Sequence, residues 1–361
     1  DFDTDTGSTE RVDDAGDVLA VAASKQLCIL RASGQVLCRG NRVRYQPHRV
    51  ADLADAVQLR AGGYSACALR RGGAGVCWGS IDPLMSKASS LEAIEGLVGV
   101  ATLHVGGNGK VCAIDAAGRL SCGSSFDFKA HPLATGIRQV SLGHHGCAVR
   151  TDGQVQCWGD GSKGQLGDGG HASAPESAPL LVRDLHDAAE VAVGYDFSCA
   201  RRRGGQVRCW GAGVNDQMHG DPGIGDAVQL AAGISFACAR RRGGTVTCWG
   251  DPPRLRADQP YGTSPADLPG VRDAVDLAAD EGALCVARAT GRVTCAGLLT
   301  GRPEDREVFD IEGITDATAV AVGDLHACAL HRTGAVSCWG SESEGGVGDG
   351  AAEHFTAIDG L

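Results

Sequence analysis

The sequence predicts an all-β fold, namely a closed β-propeller of four-stranded blades in which we count eight repeats. Its 361 residues include 16 cysteines, which fall into eight pairs with nine residues between the two members of each pair. All five tryptophans directly follow the second cysteine of a pair. Successive first cysteines are 35 to 52 residues apart, which is the length of a propeller blade. Chance does not produce this regularity.

The repeating unit is most complete at residues 147–169, CAVRTDGQVQCWGDGSKGQLGDG. An alternating run of small and β-branched residues precedes each pair, as in DAVQLAAG at 226–233, and such alternation is typical of a half-buried strand. Glycine-rich centres between the cysteines, such as TDG at 151–153, suit a tight hairpin. Each unit therefore supplies three to four short strands. Segments rich in Pro, Gly and Ser are predicted surface loops, at 80–96, 159–181 and 251–270.

The predicted domains are an acidic flexible tether at 1–16 and a single propeller domain at 17–361. Asp1, Asp3 and Asp5 alternate like the start of a calcium loop, but the glycine falls one position late and the bidentate Glu is missing. We interpret this stretch as a solvated tether that remains after removal of a targeting segment. The closing segment at 355–361 matches internal segments that precede an alternating strand, so it should lie beside the first strand and close the ring.

The regular cysteine pairs favour disulfides and an oxidising compartment: secreted, periplasmic or cell-surface. Across a hairpin the two positions fall nearly opposite each other, and each bridge would contribute about 2–3 kcal/mol. Two alternatives remain: zinc ligation, which normally uses closer cysteines, and buried reduced cysteines that act as small hydrophobes. The predicted bridges are Cys28–Cys38, Cys67–Cys77, Cys112–Cys122, Cys147–Cys157, Cys199–Cys209, Cys238–Cys248, Cys285–Cys295 and Cys328–Cys338.

Charge and motifs exclude several classes of function. The net charge of -11 disfavours binding to nucleic acid and to anionic lipid surfaces. The sequence contains no run of 18 apolar residues, so it predicts no membrane-spanning segment. No nucleophile elbow, phosphate-binding loop, zinc-protease motif or close carboxylate pair is present, so we expect no enzyme, no metal and no cofactor. A hydrolase or lyase with a site in the central channel stays as an alternative.

The full pattern, V-x-x-[AV]-A-x-G-x-x-x-x-C-A-[LV]-x-x-x-G-x-V-x-C-W-G followed by G-x-x-x-x-G-Q-L-G-D-G, resembles the regulator of chromosome condensation repeat family. It is fullest at 140–169 and at 320–350, and the resemblance covers residues 17–361. Family members are β-propellers, normally of seven blades, so eight repeats are a departure. The doubled cysteine resembles the bacterial, exported, disulfide-rich branch. The family's functions are recognition functions, and a secreted binding or inhibitory role fits the paired cysteines better than the nuclear roles do.

The loops before each first cysteine hold most of the candidate contact residues. Tyr and Phe surrounded by polar groups make good anchors for a protein partner. The alternative is that the residue two before the cysteine packs inward to brace the neighbouring loop, and His145 and His326 stand at that position. The candidate set is Tyr64, Ser65, Lys110, His144, His145, Tyr195, Asp196, Phe197, Phe236, Glu281, Asp324 and His326.

The opposite end of each unit carries arginine-rich turns, such as Arg201, Arg202 and Arg203. We interpret them as a solvated rim, with an anion-binding ring as the alternative. The tryptophans are predicted to pack between blades, and Asp168 to cap its turn.

The sequence thus predicts a monomeric, exported protein-binding module that uses the loops before each first cysteine, with no nucleic acid as partner. The alternatives are a passive structural component of the envelope or matrix, and a secreted enzyme inhibitor.

Overall fold

The computed structural model describes most of the chain from residue 17 onward. The described residues are 17–23, 27–39, 48–62, 65–79, 92–93, 99–106, 110–124, 131–212, 220–251, 264–280, 282–297, 299, 308–323, 326–340 and 356–357. Within these ranges the regular structure consists of strands, and no helix is long and apolar enough to span a membrane. The predicted tether at 1–16 lies outside them.

The strands form eight antiparallel sheets in chain order, and each sheet begins at its innermost strand. Sheet 1 contains β1 (Val18–Ala23), β2 (Leu27–Arg31), β3 (Val36–Arg39) and β4 (His48–Arg49). Sheet 2 contains β5 (Ala56–Gly62), β6 (Ser65–Arg70), β7 (Gly75–Gly79) and β8 (Glu92–Ala93). Sheet 3 contains β9 (Val100–Val105), β10 (Lys110–Asp115), β11 (Leu120–Ser124) and β12 (His131–Ala134). Sheet 4 contains β13 (Ile137–Leu142), β14 (His145–Arg150), β15 (Val155–Gly159) and β16 (Leu180–Leu181).

The second half of the chain repeats this order. Sheet 5 contains β17 (Ala188–Val193), β18 (Phe197–Arg202) and β19 (Val207–Gly211), and a bridge between Cys209 and Gly220 continues it outward. Sheet 6 contains β20 (Ala227–Ala232), β21 (Phe236–Arg241), β22 (Val246–Gly250) and β23 (Ala266–Asp267). Sheet 7 contains β24 (Ala274–Asp280), β25 (Ala283–Arg288), β26 (Val293–Gly297) and β27 (Val308–Asp310). Sheet 8 contains β28 (Ala317–Val322), β29 (His326–His331), β30 (Val336–Gly340) and β31 (Thr356–Ala357).

Each cysteine pair joins the second and third strands of one sheet. Cys147 lies directly opposite Cys157 in the β14–β15 register, for example, and the same holds in the other seven sheets. The Cα atoms of every pair are 4.0–4.1 Å apart and all eight pairs form disulfides. The predicted hairpin register and pairing therefore hold throughout.

A hydrogen bond links each sheet to the next at the turn between the second and third strands. The carbonyl of a left-handed turn glycine accepts it from the first residue of the next sheet's innermost strand, as when Ala188 N donates to Gly153 O at 2.9 Å. The series also links the last sheet to the first, because Val18 N donates to Gly334 O at 3.2 Å. The pairs are Val18–Gly334, Ala56–Gly34, Val100–Gly73, Ile137–Gly118, Ala188–Gly153, Ala227–Gly205, Ala274–Gly244 and Ala317–Gly291.

The apolar core lies between sheets. Trp210 of sheet 5, for example, packs with Val149 and Val155 of sheet 4, and all five tryptophans are buried in such interfaces, as predicted. Val18 and Ile29 of sheet 1 cluster with Cys328 and Cys338 of sheet 8. The predicted all-β propeller is confirmed, and eight sheets follow one another around the ring.

Candidate partner-binding face

The connections within the sheets define two opposite ends of the molecule. The loop face is formed by the connections between first and second strands, of which the structure describes residues 106, 143–144, 194–196, 233–235, 282 and 323. The turn face is formed by the connections between second and third strands, at 32–35, 71–74, 116–119, 151–154, 203–206, 242–245, 289–292 and 332–335. The candidate contact residues that the structure describes lie in the loop face or at the first position of the strand that follows it.

Five of these candidates are buried, which corrects their prediction as contact residues. Their exposed fractions are 3% for Ser65, 3% for His145, 0% for Phe197, 1% for Phe236 and 2% for His326. Each stands first in the second strand of its sheet, two residues before the cysteine, and therefore on the same side of the strand as the cysteine. That side faces the core between sheets. The alternative of an inward-packing brace is the correct one for this position.

His145 shows how the brace works. Its Nε2 lies 2.6 Å from Ser198 Oγ of the next sheet, and Ser198 Oγ donates to Gln165 O at 3.3 Å. Trp210 Nε1 donates to the same carbonyl at 2.8 Å. Burial lowers the pKa of His145 to about 4, so the ring is neutral at physiological pH. The histidine therefore ties sheets 4 and 5 together.

Gln165 belongs to the GQLGDG segment of the long loop at 160–179, and its side chain is fully buried. Lys163 N donates to its Oε1 at 2.8 Å, and its Nε2 donates to Asp160 Oδ2 at 3.2 Å. Asp168 Oδ1 accepts from Gly170 N at 3.1 Å, which is the predicted turn cap. These hydrogen bonds within the loop hold it in one conformation, and the loop supports the loop face between sheets 4 and 5.

Three side chains form an exposed patch on the loop face, which we call the Tyr195 patch: His144, Tyr195 and Ile234. Tyr195 and Ile234 are each 44% exposed. The rings of His144 and Tyr195 are 3.9 Å apart between centroids, with an angle of 44° between their planes. Tyr195 N donates to Ile234 O at 3.1 Å. The patch thus joins the loops of sheets 4, 5 and 6.

The structure also describes two polar candidates, Asp196 and Lys110. Asp196 is half-buried next to Tyr195. Lys110 forms an ion pair with Glu176, a residue of the long loop of sheet 4 that sequence reasoning did not single out. Nothing in the local sequence marks Glu176, because the contact joins positions 66 residues apart. Tyr64, Glu281 and Asp324 lie outside the described residues.

Arginines that end the second strands, next to the turn face, pair with carboxylates. In sheet 5, Arg202 Nε lies 2.6 Å from Asp187 Oδ1, the residue just before the innermost strand. The same brace recurs as Arg31–Asp17, Arg70–Asp55, Arg241–Asp226, Arg288–Asp273 and, with histidine in place of arginine, His331–Asp316. This repeated aspartate was missed at the sequence level, although it stands before most alternating strands. The arrangement agrees with the interpretation of a rim.

The described residues contain no group of three His, Cys, Asp or Glu side chains placed to hold a metal ion.

The matches to known protein families fall on the same repeats. Models described as "Regulator of chromosome condensation (RCC1) repeat" match residues 137–165, 188–217, 227–253 and 317–345, and also 152–201. The human and mouse E3 ubiquitin-protein ligase HERC2 are each 37% identical to this chain over 114 residues, 28% of this chain. The chain spans 2% of the length of these ligases.

Solved structures resemble the whole ring. Yeast RCC1 (Prp20), in a complex with Kap60, has a TM-score of 0.54 and 15% identity, over 89% of this chain and 79% of the yeast chain. Human WBSCR16 has a TM-score of 0.56 and 18% identity, over 84% of this chain and 82% of the human chain. At these identities the likeness shows the fold alone. The repeat models match sheets 4, 5, 6 and 8, which are RCC1 repeats, and the other four sheets share their cysteine hairpin and linking hydrogen bond.

Proposed function

We propose that this protein is a protein-binding module that engages its partner through the Tyr195 patch on the loop face. The observation that carries the proposal is that two exposed side chains from separate sheets, Tyr195 and Ile234, stand on loops joined by a backbone hydrogen bond, with the His144 ring in tilted contact with the tyrosine ring. Tyrosine is enriched among residues that dominate protein interfaces, since it combines apolar area with a hydrogen-bonding end.

The loops that hold the patch are restrained before any partner arrives. Gly194 N donates to Phe197 O and Gly233 N to Phe236 O, both at 2.9 Å, and the buried phenylalanines anchor the two loops in the core. A rigid patch loses little conformational entropy on binding. The buried residues thus support binding without touching the partner.

The net charge of the chain and its structural relatives both support a protein as the ligand. With a net charge of -11, the chain is poorly suited to nucleic acid. Among the structural relatives, yeast RCC1 has been solved with Kap60, and Prp20p is described with binding properties to Gsp1p and histones. Those partners belong to those proteins, and the partner proposed here is identified by its surface: an apolar or aromatic protrusion that covers the patch.

We further propose that the protein works as a monomer in an oxidising compartment, such as the periplasm, the cell surface or the extracellular space. Eight disulfides support this location, because cytosolic thiol systems keep cysteines reduced. Their regular placement braces every sheet of the ring.

The experiment compares the wild type with the triple variant His144→Ser, Tyr195→Ser, Ile234→Ser. Both are first used to capture protein from the envelope and secreted fractions of the source organism. The captured protein is then purified and its affinity measured for each form. Loss of a central tyrosine and its neighbours should weaken binding by about 30-fold or more, since such residues contribute about 2 kcal/mol or more. Leu181→Ser is the control, because Leu181 is exposed by 51% but lies on the outer strand β16.

Equal affinity of the wild type and the triple variant would place the binding surface elsewhere. Failure of the wild type to bind any protein saturably would favour the passive structural role instead. Both variants change exposed side chains, so their melting temperatures should equal that of the wild type.

A further inference from the structure

Sheet 8 differs from five other sheets in the brace that ends its second strand. Those sheets pair an arginine with the aspartate before the innermost strand, whereas sheet 8 has His331 in place of the arginine. His331 Nδ1 lies 2.5 Å from Asp316 Oδ1. An ionised carboxylate can only accept hydrogen bonds, so Nδ1 carries the proton. In the neutral ring this leaves the lone pair of Nε2 as an acceptor.

A serine hydroxyl stands at that acceptor. His331 Nε2 lies 2.7 Å from Ser337 Oγ on β30, so the serine O–H donates to the ring. Carboxylate, imidazole and hydroxyl thus form one chain of hydrogen bonds, which is the arrangement that activates a serine nucleophile in hydrolases of unrelated folds. No contiguous motif marks the set, because Asp316 lies 15 residues before His331 and Ser337 lies 6 residues after it.

The surroundings of Ser337 leave its proton for the histidine. The equivalent residue of sheet 6 is Thr247, which also stands just before the second cysteine, and its Oγ1 donates to Asp267 of the outer strand at 2.5 Å. Sheet 7 has the same threonine–aspartate pair. Ser337 instead stands opposite Ala357, whose side chain offers no acceptor. The serine hydroxyl of sheet 8 is therefore directed to His331.

Solvent, and hence a small substrate, reaches the set. Ser337 is half-buried, and the side chains of His331 and Asp316 are 13% and 33% exposed. The His145–Ser198 pair between sheets 4 and 5 has a similar distance of 2.6 Å, but its two residues are only 3% and 0% exposed. A buried pair can brace two sheets but cannot meet a substrate.

We propose that Ser337, His331 and Asp316 form a hydrolytic site for carboxylic esters at the edge of the turn face. Ser337 is the nucleophile and His331 the general base, while Asp316 is a positioning residue that holds the ring with Nε2 towards the serine. Water reaches the site, so the protein stabilises developing charge less than a closed site would. The reaction therefore suits esters, whose alkoxide leaves more readily than the amine of an amide.

Each bond change has its partner in this set. Ser337 Oγ attacks the ester carbonyl carbon and forms a C–O bond, while its proton passes to His331 Nε2. The bond from that carbon to the alcohol oxygen then breaks, and the alcohol takes the proton from Nε2. Water attacks the acyl-serine in the same way, which releases the carboxylic acid and restores Ser337.

Labelling of the full chain with an alkyl fluorophosphonate tests the nucleophile. Ser337 Oγ should form a bond to phosphorus as fluoride leaves, and mass spectrometry of the digested protein should find one adduct, on Ser337. Ser337→Ala should remove it. Thr333→Ala is the control, because it removes an exposed hydroxyl in the adjoining turn and should label as the wild type does.

Hydrolysis of p-nitrophenyl acetate tests the base and the positioning residue. His331→Arg restores the arginine–aspartate pair of the other sheets, so its melting temperature should equal that of the wild type, yet its hydrolysis should be slower by about 100-fold or more. Asp316→Asn should slow hydrolysis by about 10-fold or more at a temperature where the variant is fully folded, since an amide lets the ring adopt the wrong tautomer.

Two results would overturn the proposal. One is labelling of several exposed serines with no preference for Ser337, or no adduct at all. The other is hydrolysis by His331→Arg at the rate of the wild type, since the histidine would then be a structural brace alone. The site lies at the opposite end of the molecule from the Tyr195 patch and needs no protein partner, so its test is independent of the proposed binding function.

Discussion

At the scale of single residues, burial decides which polar or aromatic side chain has which role. His144 and His145 are neighbours in the sequence, yet the ring of His144 contacts an exposed tyrosine while His145 is buried against Ser198. Adjacent residues in a strand point to opposite sides, so one histidine reaches the surface and the other reaches the core. The buried one has a pKa of about 4 because a charged imidazolium would lose its hydration there.

His145 should make the free energy of unfolding depend on pH. Its folded pKa lies below its unfolded value of 6.5, so the unfolded state binds more protons between these values. The stabilisation is therefore complete above pH 6.5 and is lost as the pH falls towards 4, by about 3 kcal/mol at most. Chemical denaturation from pH 7 to pH 4 should show a smaller loss for His145→Gln than for the wild type.

The control for this measurement is His144→Gln, which removes the exposed neighbour and should retain the wild-type profile. The other titrating groups, including His104 and the carboxylates, contribute equally to the pH dependence of the free energy of unfolding in all three proteins. Parallel pH profiles for the wild type and His145→Gln would show that the buried ring does not resist protonation.

At the scale of the elements, the turn between the second and third strands does more than reverse the chain. The third residue of this turn is a glycine in each sheet, with φ between +74° and +94°, and its carbonyl accepts a hydrogen bond from the next sheet. A side chain at Gly244 would place Cβ 2.6 Å from Arg272 O, so glycine is required both for the backbone conformation and for the close approach. The turn therefore sets the spacing between neighbouring sheets.

Gly244→Ala should lower the free energy of unfolding by about 2–4 kcal/mol, from the left-handed conformation and the contact with Arg272. Gly243→Ala is the matched control, because a Cβ at Gly243 meets nothing within 4 Å. Guanidinium denaturation of both variants measures the difference. If Gly244→Ala and Gly243→Ala were equally stable, the turn glycine would not be needed to keep the next sheet in position.

At the scale of the whole molecule, the kinds of contact that join neighbouring sheets also join the last sheet to the first and so close the ring. Asp17 holds Arg31 at 2.6 Å in sheet 1, as the equivalent residues do in other sheets. Closure packs the face of the first sheet against that of the last, so neither exposes the apolar face that the end of a linear array would leave in solvent. Only 4% of the residues are aromatic, so the cores between sheets consist mainly of small side chains, cystines and tryptophans.

The eight disulfides should be present in the protein isolated from its natural source. Intact mass spectrometry before and after reduction should show a gain of sixteen hydrogens, two for each of the eight bridges. Each bridge closes a short hairpin loop and should stabilise it by about 2–3 kcal/mol in the chain-entropy model. A mass unchanged by reductant would refute both the bridges and the proposed oxidising compartment.

The sequence by itself determined the repeat and the register of the cysteine hairpins, whereas the choice between seven and eight blades was left to the structure, which has eight sheets. Cysteines with a constant gap could face each other only across a hairpin, and the tryptophan beside the second cysteine had a fixed place in its strand. Tertiary structure decided which loop residues are exposed. Both faces of a propeller sheet are covered by neighbouring sheets, so the alternation that normally separates core from surface does not distinguish Phe197 from a contact residue. The members of the Tyr195 patch come from three separate repeats, and only the packing of neighbouring sheets brings them together.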